Sequence, residues 1–348
     1  MDRNVNFACH QISYKFEKIL VIQTASIGDV ILATPVIEQL HLRFPEARID
    51  FLLKKGTHSL FDGHPFLNEV IVWDKSKNKY LSFFRILKKI RQRRYNLIIN
   101  IHRFFTSGLT VFLSKAETTV GFDKNPFSWF YTYKVKHEIG SKENFMHETM
   151  RNLLLIRELA GQGQMRPRLY PTESDYEAVR SYGGTEFITI SPASIWFTKQ
   201  FPKDQWVKFI KAVDCNYSIY LIGGKDDRQL CDEIINESGK TRIQNLAGKL
   251  TFLQSLALMK DAAMNYVNDS APMHLASAIN APVTVVFCST VPYFGFGPLS
   301  ERSFIVETGE NLACRPCGLH GRKACPEKHF KCALTIDTEQ LIQTLKAK

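Results

Sequence analysis

At 348 residues the chain is long for a single hydrophobic core, so two domains are the expectation. With 45% hydrophobic and 23% charged residues it has the composition of a soluble globular protein, which argues against a fibrous or disordered chain. The net charge of +11 points to anionic partners, among them nucleotides, phospholipids, anionic glycans and nucleic acid, without choosing between them.

The N-terminal stretch "MDRNVNFACHQISYKFEKILVIQ" lacks the basic, apolar and small-residue order of a cleavable leader. No uninterrupted apolar run approaches the roughly 18–20 residues that span a bilayer. A cytoplasmic protein is therefore the expectation. "KILVIQ" (18–23) reads as a buried strand, followed by helical spacing in "VILATPVIEQLHLRF" (30–44). Strands are expected at 48–54, 69–73, 96–101 and 118–122, with a basic helix at 80–94 and a further helix at 148–161. The Pro- and Gly-containing stretch "QGQMRPRLYPTES" reads as a linker. Beyond it the alternation restarts, with strands at 187–192, 217–224, 242–248, 264–269 and 283–288. This order predicts two Rossmann-like, doubly wound α/β domains, residues 1–165 and 166–348, facing a central cleft.

Several turns after strands carry chemistry. "SPASIWFTKQFP" (191–202) offers Ser191, Ser194, Thr198 and Lys199, and "GGKDD" (223–227) offers Gly224 and Lys225 before two carboxylates. "VNDSAPMHLASAIN" (267–280) places Asn268, Asp269 and Ser270 where a strand gives way to a helix with Pro272 in its first turn. Free N–H groups at such a helix start favour an anion, so a diphosphate above Ser270, Ala271 and Met273 is sensible, with Lys199 as a second positive charge. The plainer reading is a helix cap made by Asp269 or Ser270. In "QTASIGDVILATP" (23–35), Asp29 is either a helix cap or a carboxylate facing the nucleotide across the cleft, able to accept a proton. "ESGKT" (237–241) imitates a phosphate-binding loop, but Ile234 stands where that motif needs glycine. No Asp-x-Asp occurs, which weakens any mechanism built on a carboxylate-held divalent metal.

"TASIGDVILATP", "SPASIWFTKQFP", "LIGG", "NLAG" with "LTFLQSLALMKDA", and "VNDSAPMHLASAINAPVTVVF" together resemble the ADP-heptose:lipopolysaccharide heptosyltransferases, glycosyltransferase family 9, over about residues 18–335. The resemblance implies a GT-B fold, with an N-terminal acceptor domain, a C-terminal nucleotide-sugar domain and inversion at the anomeric carbon. It makes Asp29 the general base and Lys199 the group that offsets charge on the departing diphosphate. Asp269 would touch sugar hydroxyls, and the backbone at Ser270 and Ala271 would bind phosphate. His274 is either a phosphate or ribose contact or a packed helix residue. Two positions depart from the family pattern: Ala271 replaces a usual glycine, and Lys225 stands where relatives often carry a ribose-binding carboxylate, a role that Asp226 or Asp227 could take. ADP-heptose is the implied donor, with no metal required.

"CRPCGLHGRKACPEKHFKC" places Cys314, Cys317, Cys325 and Cys332 close together; they are either reduced thiols, disulfides or the ligands of a structural zinc. The basic helix has an apolar stripe through Phe83, Phe84, Leu87 and Ile90, and its cations are either simply solvated or meet anionic lipid at the inner face of the cytoplasmic membrane. His102 and Arg103, at a strand's end, could contact an anionic, lipid-linked glycan acceptor. Competing readings are the same fold with another nucleotide sugar, as transferase or epimerase, and a non-catalytic sugar-nucleotide binder. Nucleic acid is not an expected partner, since the cations are not interleaved with a recognisable recognition module.

Overall fold

The computed structural model describes residues 15–76 and 78–347. Cys9 and the N-terminal stretch read for a leader lie outside these residues, apart from its last part. The first domain runs β1 (Lys18–Ile22), α1 (Ile27–Ile31), α2 (Thr34–Arg43), β2 (Arg48–Lys54), β3 (Leu67–Trp73), α3 (Lys79–Arg93), β4 (Leu97–Asn100), α4 (Phe105–Ser114), β5 (Thr118–Phe122), β6 (Tyr133–Val135), α5 (Glu148–Leu154) and α6 (Arg157–Ala160). The second runs α7 (Glu173–Val179), β7 (Phe187–Ser191), α8 (Lys203–Ala212), β8 (Ser218–Leu221), α9 (Arg228–Ser238), β9 (Ile243–Asn245), α10 (Phe252–Asp261), β10 (Met264–Asn268), α11 (Ala271–Ala278), β11 (Val283–Phe287), β12 (Ser303–Glu307), α12 (Lys331–Leu334) and α13 (Glu339–Lys346).

Each domain is built on a six-stranded sheet, in the orders β3-β2-β1-β4-β5-β6 and β12-β11-β10-β7-β8-β9. All pairings are parallel. Parallel strands are covered on both faces, which is why β1, β4, β10 and β11 are mostly apolar with almost no exposure, and why the buried polar side chains of β10 and β11 are bonded, Asn265 to Thr189 at 2.6 Å and Thr284 to Thr344 at 2.8 Å. In both sheets the strand order reverses beside the first strand of the domain, β1 or β7, and the loops at the carboxyl ends of these strands open on the crevice where such folds bind ligands.

The helix expected over 30–44 is two. Pro35 has no N–H to give the Ile31 carbonyl, and the Thr34 hydroxyl donates to that carbonyl instead at 2.8 Å. The helix expected over 148–161 is also two, and the breaks meet: the Asn152 side-chain amide donates to the Leu32 carbonyl at 3.0 Å. On α3, Ile86, Leu87 and Ile90 are buried against the first sheet, but Phe84, expected in the stripe, faces solvent. The segment 242–248 keeps only the three-residue β9 as strand, because the chain then turns: the Ala247 N–H bonds the Asn245 side chain at 2.9 Å and the Lys249 N–H the Leu246 carbonyl at 3.0 Å.

Candidate active site

The two domains enclose a cleft of about 1350 Å³. Its walls include Gly28 and Asp29 of α1, Ser194 and Lys199 of the loop after β7, Gly224 and Lys225 after β8, and Asp269, Ser270, Ala271 and His274 after β10. These residues, singled out from sequence, therefore border one cavity, whereas Thr198, Asn268, Met273, His102 and Arg103 do not line it.

The turn after β10 is built by Asn268. Its buried side chain accepts from the Phe201 N–H at 2.9 Å and donates to the Pro192 carbonyl at 2.8 Å, tying the 191–202 loop to the strand end. Asp269, 4% exposed, pairs with Lys199 at 2.7 Å and accepts from the Thr290 hydroxyl at 2.5 Å. Neither Asp269 nor Ser270 caps α11. Ser270 occupies the cap position with extended backbone, but its hydroxyl turns back to the Asn268 carbonyl at 3.3 Å, and no acidic residue lies in the first turn. The cap expected on the plainer reading is thus not made; Ser270, Ala271 and Pro272 border the cleft, while the Met273 N–H is taken by the Ser270 carbonyl at 3.1 Å. Ala271 is helical with ordinary negative φ, so its Cβ imposes no backbone strain.

His274, 5% exposed, is a packed residue: a Cβ on Gly28 would lie 3.0 Å from its ring, so α1 and α11 meet there. Burial, then the nearby charges of His147 and Lys199, lowers its pKa to about 3, and the ring is neutral at physiological pH. Asp29 does cap its helix, since its carboxylate accepts from the Ser26 N–H at 3.1 Å and the Ser26 hydroxyl at 2.5 Å, and it also borders the cleft. Both readings of Asp29 are geometrically compatible.

In the 223–227 turn, Asp227 is occupied by a 2.7 Å bond from the Gly224 N–H. Lys225 lies against Gly248, whose φ of +71 and lack of a Cβ make room for it. Asp226 is left exposed on the cleft wall. Sequence reasoning missed Lys54, Lys55 and Thr57 after β2, although loops after strands in doubly wound sheets are where such residues belong. It also missed Leu319 and His320, which reach the cleft because the Cys-rich segment docks on the Lys199 loop. There the Thr198 N–H bonds the Arg322 carbonyl at 3.1 Å, and the Arg322 N–H returns to the Thr198 hydroxyl at 2.8 Å. His102 instead is buried and bonded to Thr24 at 3.0 Å, outside the cleft lining.

Cys314, Cys317, Cys325 and Cys332 are unpaired thiols. Among the described residues, no group of three or more His, Cys, Asp or Glu side chains is placed to hold a metal. No zinc site is shown at these four cysteines, and no chemistry is assigned to a metal there.

Two facing doubly wound domains, with an open helix N-terminus and a lysine on one wall and a carboxylate on the other, are the architecture of a GT-B glycosyltransferase. The profile of glycosyltransferase family 9 (heptosyltransferase) matches residues 83–329, and the chain belongs to that family. It is 27% identical over 275 residues to lipopolysaccharide heptosyltransferase 3 of Escherichia coli, covering 76% of this chain and 81% of the relative. Among solved structures, the glycosyl transferase family 9 from Veillonella parvula superposes with a TM-score of 0.80 at 20% identity, over 95% of this chain and 97% of that one. The E. coli ADP-heptose lps heptosyltransferase II superposes with a TM-score of 0.75 at 20% identity, over 94% and 97%.

Proposed function

We propose that the protein transfers a heptose from ADP-heptose to a lipopolysaccharide core acceptor, with inversion and without a metal. The observation that carries this reading is the uncapped start of α11 beside Lys199, opposite Asp29 in one cleft, in a family 9 chain. The acceptor hydroxyl gives its proton to Asp29 as its oxygen bonds the anomeric carbon. The bond from that carbon to the diphosphate breaks, and ADP leaves with its charge held by Lys199 and the N–H groups at the start of α11. Those two features provide positive charge where a divalent ion would otherwise be needed. Asp269 is then shared between Lys199 and the sugar hydroxyls. Asp226 is the carboxylate positioned for the ribose, since Asp227 is held by Gly224. Residues 161–172, between α6 and α7, are the proposed hinge for closure.

Isothermal titration with ADP, UDP and GDP, with and without EDTA, on the parent and on Lys199→Ala tests this. ADP should bind best, unaffected by EDTA, and weaken in the variant. Preference for UDP or GDP would replace the ADP-heptose assignment by another nucleotide sugar, the reading that Lys225 in place of a carboxylate favours. No nucleotide binding would remove the enzymatic reading of this cleft.

A further inference from the structure

Outside the cleft, the first domain carries a surface that neither its core nor the donor site uses. From residue 75 to residue 116 the chain has eleven Lys and Arg and no Asp or Glu. Removing these eleven from the total of 45 leaves 34 cations against 34 anions, so the whole net charge of +11 resides in this one stretch. The stretch forms α3 and α4, which lie in contact on the same face of the first sheet.

The solvent side of this layer is apolar as well as basic. Phe84 is 60% exposed, Phe104 63%, Phe105 56% and Trp129, in the turn after β5, 70%. Ring contacts join the α4 part into a ridge: Phe105 to Phe127 at 5.2 Å, Phe127 to Phe112 at 5.6 Å, and Phe112 to Trp129 at 5.6 Å. Arg103, Lys115 and Lys124 are exposed around it, and Arg85, Lys88 and Arg91 are exposed on α3. Because α4 starts beyond the carboxyl end of β4, Phe104 and Phe105 stand on the cleft-facing side of the first domain.

Large aromatic side chains amid cations fit the layer between water and hydrocarbon, where rings insert at headgroup depth and Lys and Arg meet anionic lipid. Pairing with a second copy through this face would bring cation against cation. We propose that this face docks the protein on an anionic lipid bilayer, with Phe104, Phe105 and Trp129 entering the headgroup layer and the cations of α3 meeting lipid phosphates. The acceptor side of the cleft then stands at the membrane surface. The docking itself does not depend on the donor chemistry.

The test is co-sedimentation with vesicles of phosphatidylcholine alone or mixed with phosphatidylglycerol, without nucleotide. The parent should partition onto the anionic vesicles and little onto the neutral ones. Phe104→Ser with Trp129→Ser should lower that partition roughly tenfold, and Arg85→Glu with Lys88→Glu should remove the preference for phosphatidylglycerol. All four substitutions are at exposed positions, and unchanged melting temperatures would show that the variants are folded. Parental binding no stronger to anionic than to neutral vesicles would overturn the proposal, as would aromatic variants that bind like the parent. So would a concentration-dependent dimer in sedimentation velocity that the aromatic substitutions dissolve, which would make the ridge a self-association surface.

Discussion

Two helices begin at the cleft, and they differ in how their first turns are satisfied. At α1, Ser26 donates through both its N–H and its hydroxyl to Asp29, so a carboxylate within the helix answers the positive end of the helix dipole. At α11 the equivalent serine turns away, the adjacent carboxylate of Asp269 is bound to Lys199, and no acidic side chain lies in the first turn. One end is electrostatically complete and presents an oxygen acceptor to the cleft. The other waits for an anion from outside. A transferase needs this asymmetry, with a base on one wall and a site for a leaving diphosphate on the other.

The sharpest way to use the comparison is to separate the two roles of Asp29. Asp29→Asn keeps an oxygen that can accept from Ser26 but cannot take a proton. Turnover should fall by about 10²–10⁴ while ADP affinity stays as in the parent. Asp29→Ala should lose as much activity and in addition about 1 kcal/mol of stability with the cap. Equal turnover for parent and Asp29→Asn would leave Asp29 as a cap only.

Lys199 is the next largest effect. Lys199→Met removes a cation from the diphosphate site and leaves Asp269 buried without its ion partner. ADP affinity should drop by about 100-fold, and urea unfolding should show about 3 kcal/mol lost. Adding Asp269→Asn should restore most of the stability without the affinity. If the double variant also binds ADP normally, the lysine serves the fold and not the donor.

The parts of this arrangement differ in how legible they were in the sequence. The central strands were readable because burial on both faces demands continuous apolar runs, and β5 fell on residues 118–122 as expected. The edge strands β6 and β12 were not, since "YKV" and "SFIVE" are only half-buried and carry no such run. The cleft residues were found because turns after strands of a parallel sheet must converge, which is a consequence of topology. What each side chain does within those turns was not fixed by its type. Ser26 and Ser270 both precede a helix, yet only one side chain bonds its own first turn, and the cause is long-range: Asp269 is drawn off by Lys199 and Thr290. His320 likewise reaches the cleft only through the docking of residues 317–322 on the Lys199 loop, a contact that no local pattern announces.

The two helix ends can be made alike by substitution. Ser270→Asp would place a carboxylate at the N-cap of α11, at the positive end of the helix dipole. The protein without nucleotide should gain about 0.5–1 kcal/mol in thermal or urea unfolding, since anions near a helix start are stabilising by about that much. ADP affinity should fall roughly tenfold, because the introduced charge competes with and repels the diphosphate. Loss of stability together with unchanged ADP binding would mean that the start of α11 is not the anion site.

The smallest effect concerns the point where the two helix ends touch. His274 is packed against Gly28 and held neutral, its pKa lowered to about 3 by burial and by the charges of His147 and Lys199. His64, His102, His137 and His147 are likewise lowered to about 4, chiefly by burial. In an unfolded chain each takes a proton at about pH 6.5. Between that value and the folded one, the unfolded state binds more protons, so stability rises with pH in this window. It is therefore present in full above about pH 6.5 and drains as the pH falls towards about 4. His274→Asn removes one of these five groups and should flatten the decline of melting temperature between about pH 6.5 and 4 by roughly a fifth, while lost packing lowers the whole curve. An unchanged slope would mean that His274 takes up its proton in the folded protein as readily as in the unfolded one, and that the contact between the two helix ends opens in solution wide enough to hydrate the ring.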